Sequence, residues 1–232
     1  MATPILITGA TKGIGRACAL ALGRQGYSLA LNARSKEDLI RLQQRVKQEF
    51  GTESWVYPAD LATPEGRGQL CRAWNPLPEA AVLNVGNFAT GPLLSEVNGL
   101  MPHLQSNFFA AETIALSLIR AWESKGIQGK IVLINSIASK ELRPEAPAYS
   151  LSKSLLRQWA EALQKEVLPT GIQLCQIHPS ATHTASWDGL EVDPEQLLKP
   201  EDVAAAVVHV LQAPKGLWHT EWVLRPGNSD YF

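Results

Sequence analysis

Cysteine is scarce and scattered: Cys18, Cys71 and Cys175 are the only three, and no C-x-x-C occurs. That spacing offers no disulfide framework. With no signal-peptide pattern ahead of Thr3-Pro4-Ile5, it predicts a reducing, cytoplasmic setting. The cysteines themselves read as small buried hydrophobes. No apolar run is long enough to span a bilayer, so no membrane role is expected. An excess of one charge is missing too. Lys and Arg number 21 against 22 Asp and Glu, for a net charge of -1, and the signs are interspersed. Nothing there provides a basic footprint for nucleic acid. There is also no Pro/Gly/Ser-rich linker or break in composition, which favours a single domain over the 232 residues. What is present is 45% hydrophobic against 19% charged residues, enough to bury a sizeable core.

The apolar residues fall into an alternating order of elements. Ile5-Leu6-Ile7, Leu29-Ala30-Leu31, Trp55-Val56-Tyr57, Ala81-Val82-Leu83, 131–134, 172–177 and Trp222-Val223-Leu224 read as strands. The most apolar of them lack polar alternation, as parallel strands covered on both faces do. Helical spacing lies between them. Leu39, Leu42, Val46 and Phe50 recur behind a Ser35-x-x-Asp38 capping signal, and Leu155, Leu156, Trp159, Ala160, Leu163 and Val167 recur later. Thr63-Pro64-Glu65 and Lys199-Pro200-Glu201-Asp202 look like helix starts, with proline in the first turn and acids at the positive dipole end. The order predicts an α/β fold: one doubly wound parallel sheet of about seven strands, helices on both faces, right-handed βαβ crossovers. Such a sheet binds its ligand at the carboxyl ends of its strands.

The first such end carries Thr8-Gly9-Ala10-Thr11-Lys12-Gly13-Ile14-Gly15, which opens a helix through Ala17, Leu20 and Leu22. Glycines there allow a sharp turn and close approach of a pyrophosphate to a helix N-terminus. The spacing is looser than G-x-G-x-x-G, but its place after an N-terminal strand points to a dinucleotide. After strand two the chain reads Asn32-Ala33-Arg34-Ser35, without the acid that would hold a ribose 2′-hydroxyl. Arg34, helped by Lys12, is placed to clamp a 2′-phosphate instead, which selects NADP(H).

Tyr149 and Lys153 stand at i and i+4 on one helical face, and Ser136 follows the buried run 131–134. Y-x-x-x-K alone is a weak signal. Together with T-G-x-x-x-G-I-G at 8–15, Asp60 after strand three, Asn84-Val85-Gly86 after strand four, Asn107 within a helix, and 179–184 after strand six, the chain resembles the short-chain dehydrogenase/reductase family of the classical type over nearly its whole length.

The resemblance implies a Rossmann-type dinucleotide domain and a set of roles. Tyr149 would pass a proton to or from the substrate oxygen, with Lys153 holding the nicotinamide ribose and lowering the phenol pKa. Ser136 would hydrogen-bond the substrate oxygen, and Asn107 would bind a water linking Lys153 to solvent. Gly9, Thr11, Gly13, Ile14 and Gly15 would surround the pyrophosphate and ribose. Asp60 and Leu61 would meet the adenine, Asn84 and Gly86 the adjacent ribose, and Pro179, Thr182 and Thr184 the carboxamide. Two departures stand out. Leu83 occupies the place of a first asparagine before Asn84, and Ser180 follows Pro179 where the family has glycine.

The remaining features narrow the expectation without naming a substrate. His178 and His183 have no metal-binding companions and read as packing or surface residues; no metal is expected. Trp122 and Trp159 lie on helices that form subunit contacts in the family, so interface and core roles are both open, and a homodimer or homotetramer is implied. A short lid at about 185–199 offers Trp187, Leu190, Val192, Leu197 and Leu198 as apolar walls. Asp188, Glu191, Asp193 and Glu195 should disfavour a strongly anionic substrate. Phe88, Leu142, Ala146 and Ser180 are further pocket candidates. Three functions fit. One is a general carbonyl reductase acting on a small carbonyl or alcohol. The second is a specialised reductase of 3-oxoacyl thioesters or pterin side chains, hinted at by Lys140 and Arg143. The third is an NADP(H)-binding sensor or scaffold, against which the intact Asn107, Ser136, Tyr149 and Lys153 speak.

Overall fold

The inner strands become parallel neighbours because they are apolar on both sides and must be covered twice. The computed structural model describes residues 3–95, 99–184, 196–214 and 216–227. In it β1 (Ile5–Thr8), β2 (Leu29–Ala33), β3 (Ser54–Pro58), β4 (Ala80–Leu83), β5 (Lys130–Ile134), β6 (Gln173–Pro179) and β7 (Glu221–Leu224) form one sheet in the order β3-β2-β1-β4-β5-β6-β7. Every pairing is parallel. The seven predicted strands are all present, and this is the doubly wound architecture expected from the sequence.

Side chains along a strand point alternately to the two faces, and the core divides accordingly. Ile5 and Ile7 of β1 and Val132 of β5 enter a layer with α1 (Gly13–Arg24), α2 (Lys36–Phe50) and α7 (Pro200–Gln212). Leu6 and its counterparts Ile131 and Leu133 enter the opposite layer, against α3 (Pro64–Arg72), α5 (Ala110–Lys125) and α6 (Pro147–Val167). Between β4 and α5 runs α4 (Leu100–His103), continued by a π-helical stretch, Leu104–Phe109.

The local stop and start signals act as their chemistry dictates. Ser35 Oγ accepts from the Asp38 N–H at 3.1 Å to open α2, and Thr63 Oγ1 accepts from Gly66 at 3.0 Å to open α3. Lys199 N–H donates to the Asp202 carboxylate at 2.9 Å at the start of α7. Among the described residues no helix is long and apolar enough to cross a membrane, and no cluster of three or more potential metal ligands occurs.

Trp122 answers the question left open for the two tryptophans differently from Trp159. It is fully buried, stacks over Gly129 and donates its indole N–H to the Pro78 carbonyl at 2.6 Å. It is therefore a core residue and has no surface to offer a partner. Trp159 is half-buried, edge-on to Phe108 with ring centroids 5.9 Å apart. Trp122→Ala leaves a large cavity and an orphaned carbonyl, and should cost about 3–5 kcal/mol in urea unfolding; a loss below about 1 kcal/mol would contradict this packing.

Candidate active site

The strand ends of β1 and β4 are stitched together before any ligand is considered. Thr8 Oγ1 accepts from the backbone N–H of Asn84 (2.9 Å) and Val85 (3.2 Å), and Asn84 Nδ2 donates to the Thr8 carbonyl at 3.3 Å. Leu83, in place of a first asparagine, is simply buried in the core. The glycine turn then folds over this seam. Gly9 has φ +65°, and a Cβ on Gly15 would lie 2.2 Å from the Gly9 carbonyl oxygen, so only hydrogen fits there. Lys12, the N-cap of α1, makes no side-chain cap, which leaves the first amides of that helix facing outward as an anion site.

At one end of the cleft Arg34 and Lys12 are exposed, and among the described residues neither has a carboxylate within ion-pair distance. Asp38 also lines this end, but its carboxylate is engaged by Arg41 at 2.7 Å. Asp60 Oδ1 accepts from Ala62 N at 3.0 Å, which fixes the turn after β3, and Leu61 is buried beside it.

Ser136, Tyr149 and Lys153 gather at the middle of the sheet edge. Ser136 leaves β5 and caps a 3₁₀ turn (Ile137–Ser139), its Oγ accepting from Ala138 N at 3.1 Å. Tyr149, on the first turn of α6, lies near enough to Ser136 for the two side chains to influence each other. The Tyr149 ring is held edge-on by Phe88 (centroids 5.0 Å apart) and His103 (6.2 Å). Burial raises the phenol above its ordinary value, and the Ser136 side chain opposes that rise. One turn on, Lys153 is 4% exposed and donates to the Ile134 carbonyl at 3.0 Å, with its Nζ 6.0 Å from the Tyr149 ring centre. Desolvation brings this ammonium down to about 8.

Asn107 stands in the π-helical stretch with its amide fully used. It accepts from Asn87 N (2.6 Å) and Ser106 Oγ (3.1 Å), and donates to the Asn87 carbonyl (3.0 Å) and Ser152 Oγ (2.9 Å). It thus pins the loop after β4 against α6. A Cβ on Gly86 would lie 3.2 Å from Asn107 Oδ1 and 3.5 Å from Lys153 Nζ, so that loop passes close over both.

These groups share one cleft of about 1060 Å³. Its wall carries Gly9, Thr11, Lys12, Gly13 and Ile14 from the glycine turn, then Arg34, Asp60, Leu61, Asn84, Gly86 and Phe88. Ser136, Tyr149, Lys153, Pro179, Ser180, Thr182 and Thr184 complete it. Four predicted residues are not on that wall. Gly15 lies beneath the turn and Asn107 behind the β4 loop, each acting through what it supports. Ala146 is buried as the N-cap of α6, and Leu142 is 63% exposed. Trp187, with the acidic residues expected on the lid and Tyr231-Phe232, lies outside the described residues. Of the lid ends, Leu197 and Leu198 are buried, and Leu198 is paired with Ala181 and His183 through backbone hydrogen bonds of 2.9 and 2.8 Å.

Sequence reasoning missed part of the pocket. Asn87, Pro102, Gln105, Ser106, Arg143 and Glu145 also line the cleft, brought there by the loop after β4, by α4 with the π-helical stretch, and by the turn before α6. Nearness in sequence to named candidates could have flagged Asn87, between Gly86 and Phe88, and Ser106, beside Asn107, as well as Arg143 and Glu145 near Tyr149. Lys140, paired in sequence with Arg143 as a basic hint, is ion-paired with Glu221 at 2.6 Å.

The residues present fit a dinucleotide. A glycine turn with free helix amides faces a cleft whose other end holds a tyrosine and a buried lysine. The Gly13 hydrogen sits where a Cβ would meet Thr184 at 3.0 Å. Comparison with known proteins agrees. The family model for short chain dehydrogenase matches residues 3–194, and the chain belongs to that family. It is an oxidoreductase by that membership. The oxidoreductase YmfI of Bacillus subtilis (strain 168) is 26% identical over 223 residues, 89% of this chain and 90% of the relative. An alcohol dehydrogenase from the archaeon Thermococcus sibiricus, complexed with 5-hydroxy-NADP, superposes with a TM-score of 0.86 at 27% identity and 97% coverage of both chains. A short chain dehydrogenase from Burkholderia cenocepacia J2315 in complex with NADP gives 0.85 at 25% identity, with 98% of each chain covered.

The buried ammonium has a measurable signature. Because the unfolded lysine titrates near 10.5 and the folded one at about 8, the unfolded chain binds more protons between those values. Stability from this group therefore rises with pH across the window. Lys153→Met should be more stable than the parent by roughly 1–3 kcal/mol at pH 7, with the gap narrowing towards pH 10, while turnover is lost. A gap independent of pH would exclude a buried titrating lysine.

Proposed function

We propose that this protein interconverts a carbonyl and an alcohol with NADP(H), using Tyr149 as the general acid and base. The observation that carries the reading is the convergence of Ser136, Tyr149 and Lys153 on the cleft that also holds the glycine turn. Arg34 and Lys12, uncommitted cations at the far end, support a 2′-phosphate there, as do the NADP ligands of the Thermococcus sibiricus and Burkholderia cenocepacia relatives. Gly9, Thr11, Gly13 and Ile14 would hold the pyrophosphate and its ribose. Asp60 and Leu61 would border the adenine, Asn84 and Gly86 the next ribose, and Pro179, Thr182 and Thr184 the carboxamide. When bound, the nicotinamide supplies or accepts the hydride.

The chain's own work is proton handling and positioning. Tyr149 gives its phenolic proton to the substrate oxygen in reduction and takes one in oxidation. Ser136 donates a hydrogen bond to the same oxygen and stabilises its developing charge. Lys153, charged and close to the phenol, favours the phenolate that reduction leaves behind and counters the effect of burial. Asn107 keeps the β4 loop closed over Lys153. On the substrate side Phe88, Pro102 and Ile137 alternate with Gln105, Ser106, Arg143 and Glu145. A small carbonyl compound bearing polar substituents suits that wall better than a hydrocarbon ketone. The commitment of Lys140 to Glu221 leaves a docking face for a carrier-bound thioester with Arg143 alone.

Oxidation of NADPH, followed spectroscopically across ketones, aldehydes, quinones, pterins, polyhydroxy ketones and 3-oxoacyl thioesters, tests the reading. Turnover should be lost by about 10²–10⁴-fold in Tyr149→Phe with NADPH binding kept. Arg34→Ala should raise the KM for NADPH roughly tenfold and leave that for NADH unchanged. Full activity in Tyr149→Phe would overturn the assignment, and equal use of NADH by the parent would overturn the cofactor choice.

A further inference from the structure

His178 belongs to none of the groups above, yet it is the best-connected buried side chain behind them. It stands on β6 with no solvent exposure. Its Nδ1 lies 3.1 Å from the Ser136 carbonyl oxygen and 2.9 Å from Ser139 Oγ, while Ser139 Oγ donates to that same carbonyl at 2.7 Å. A carbonyl oxygen only accepts, and the Ser139 hydroxyl has one hydrogen, already spent on it. All three contacts are hydrogen bonds together when Nδ1 carries a proton shared between the Ser136 carbonyl and Ser139 Oγ.

The opposite ring nitrogen meets the edge strand. Nε2 is 2.9 Å from Glu221 Oε1 with no hydrogen bond between them, a contact that becomes an ion pair only when the ring is protonated. The charged groups acting on the ring are Glu221 from β7, Lys140 from the turn after Ser139, and Arg157 from α6. Burial is the largest influence and holds the ring below its ordinary value; the Ser136 carbonyl and Glu221 oppose it, while Lys140 and Arg157 reinforce it. A second proton on Nε2 would face Glu221 and leave the Nδ1–H in place. The bond to Ser136 is therefore available in both protonation states.

That bond matters because of what Ser136 does with its own hydroxyl. Ser136 Oγ already accepts from Ala138 N, so the conformation of the 3₁₀ turn dictates where its hydrogen points. The turn is fastened on its outer side as well, by Ser154 Oγ to the Ser139 carbonyl (3.1 Å), Lys140 to Glu221 (2.6 Å) and Arg225 to Glu141 (2.5 Å). The Ser136 carbonyl also accepts from Ser139 N at 3.0 Å and from Ser139 Oγ, and among the described residues His178 is the side chain that ties it to β6.

We infer that His178 is a positioning residue: its Nδ1–H fixes the Ser136–Ser139 turn and so aims the Ser136 hydroxyl at the substrate oxygen beside Tyr149. The inference rests on the proposed role of Ser136. It is tested with His178→Asn, His178→Gln and His178→Phe, each alone and combined with Ser136→Ala, using the carbonyl substrate with the best turnover. Asparagine can place an amide N–H where Nδ1 was, glutamine reaches towards Nε2 instead, and phenylalanine keeps the ring without a donor. Phe and Gln should lower kcat by roughly 10–100-fold, with the KM and NADPH affinity held within about twofold, and Asn should recover to within about threefold of the parent. In the Ser136→Ala background, His178→Phe should cost nothing further, since both changes act through one hydroxyl.

Loss in Asn equal to that in Phe, undiminished kcat in Phe, or losses that multiply with Ser136→Ala would each overturn the inference. If Phe fails to fold, the contrast between Asn and Gln decides the matter on the same terms. Full turnover in Ser136→Ala alone would overturn the reading of Ser136 and this inference with it. A large loss there without rescue by Asn would overturn the inference alone.

Discussion

An ammonium group at 4% exposure is costly unless something accepts its hydrogens, and among the described residues Lys153 has one hydrogen-bond acceptor, the Ile134 carbonyl at 3.0 Å. That carbonyl is available because β5 ends there. Ser136 turns away from the sheet two residues later, and the lysine reaches the exposed strand end from α6. The geometry of the site follows from this contact. With Lys153 anchored to the end of β5, Tyr149 one turn earlier on α6 is brought to Ser136. The loop after β4 passes close enough that a Cβ on Gly86 would crowd Asn107 Oδ1 at 3.2 Å. Asn107 supplies the outer clamp, and the π-helical spacing around it lets one amide reach Asn87 on one side and Ser152 on the other. Such bulges recur at functional sites because they redirect a side chain without ending the helix.

The sheet contributes more than a platform. Its order places β1 between β2 and β4, so the loops leaving β1 and β2 and those leaving β4, β5 and β6 diverge and open the crevice. The edge strand β7 contributes as well. Glu221 touches both His178 and Lys140, and Arg225 meets Glu141, so the segment carrying Ser136 is tied to the outermost strand. A strand of four residues at the rim would otherwise have only one neighbour to justify it.

How much of this was legible in the sequence depends on the range of the interactions. β1 and β5 were readable because two-sided burial forces continuous apolar runs, and the helix starts at Ser35 and Thr63 because capping is decided within three residues. The glycine turn, Ser136, Tyr149 and Lys153 form a cluster because strand ends and a single helical turn place them. The failures have a common cause in tertiary packing. Leu142 and Ala146, expected beside the pocket, are not on the cleft wall: Leu142 is exposed, and Ala146 is buried as the N-cap of α6. Trp122 is a core residue because Gly129 and the Pro78 carbonyl, from two other segments, receive it. His178 reads as packing in the sequence, since its partners Ser136, Ser139 and Glu221 are at least 39 residues away along the chain.

Charge shows the same gap between composition and structure. A net charge of -1 says nothing about the cleft, where Lys12, Arg34, Arg143 and Lys153 face Asp38, Asp60 and Glu145. Two of those three acids are already occupied, Asp38 by Arg41 and Asp60 by the amide of Ala62. The cations at the glycine-turn end have no such commitment among the described residues. An acid that neutralises a cation in a formal sum has little hold on a ligand when its oxygen is bound elsewhere, because the field in a cleft is set by the nearest unshared charges. The neutrality of the whole chain and a positive end of the cleft are therefore compatible, and the second follows from which acids are already engaged.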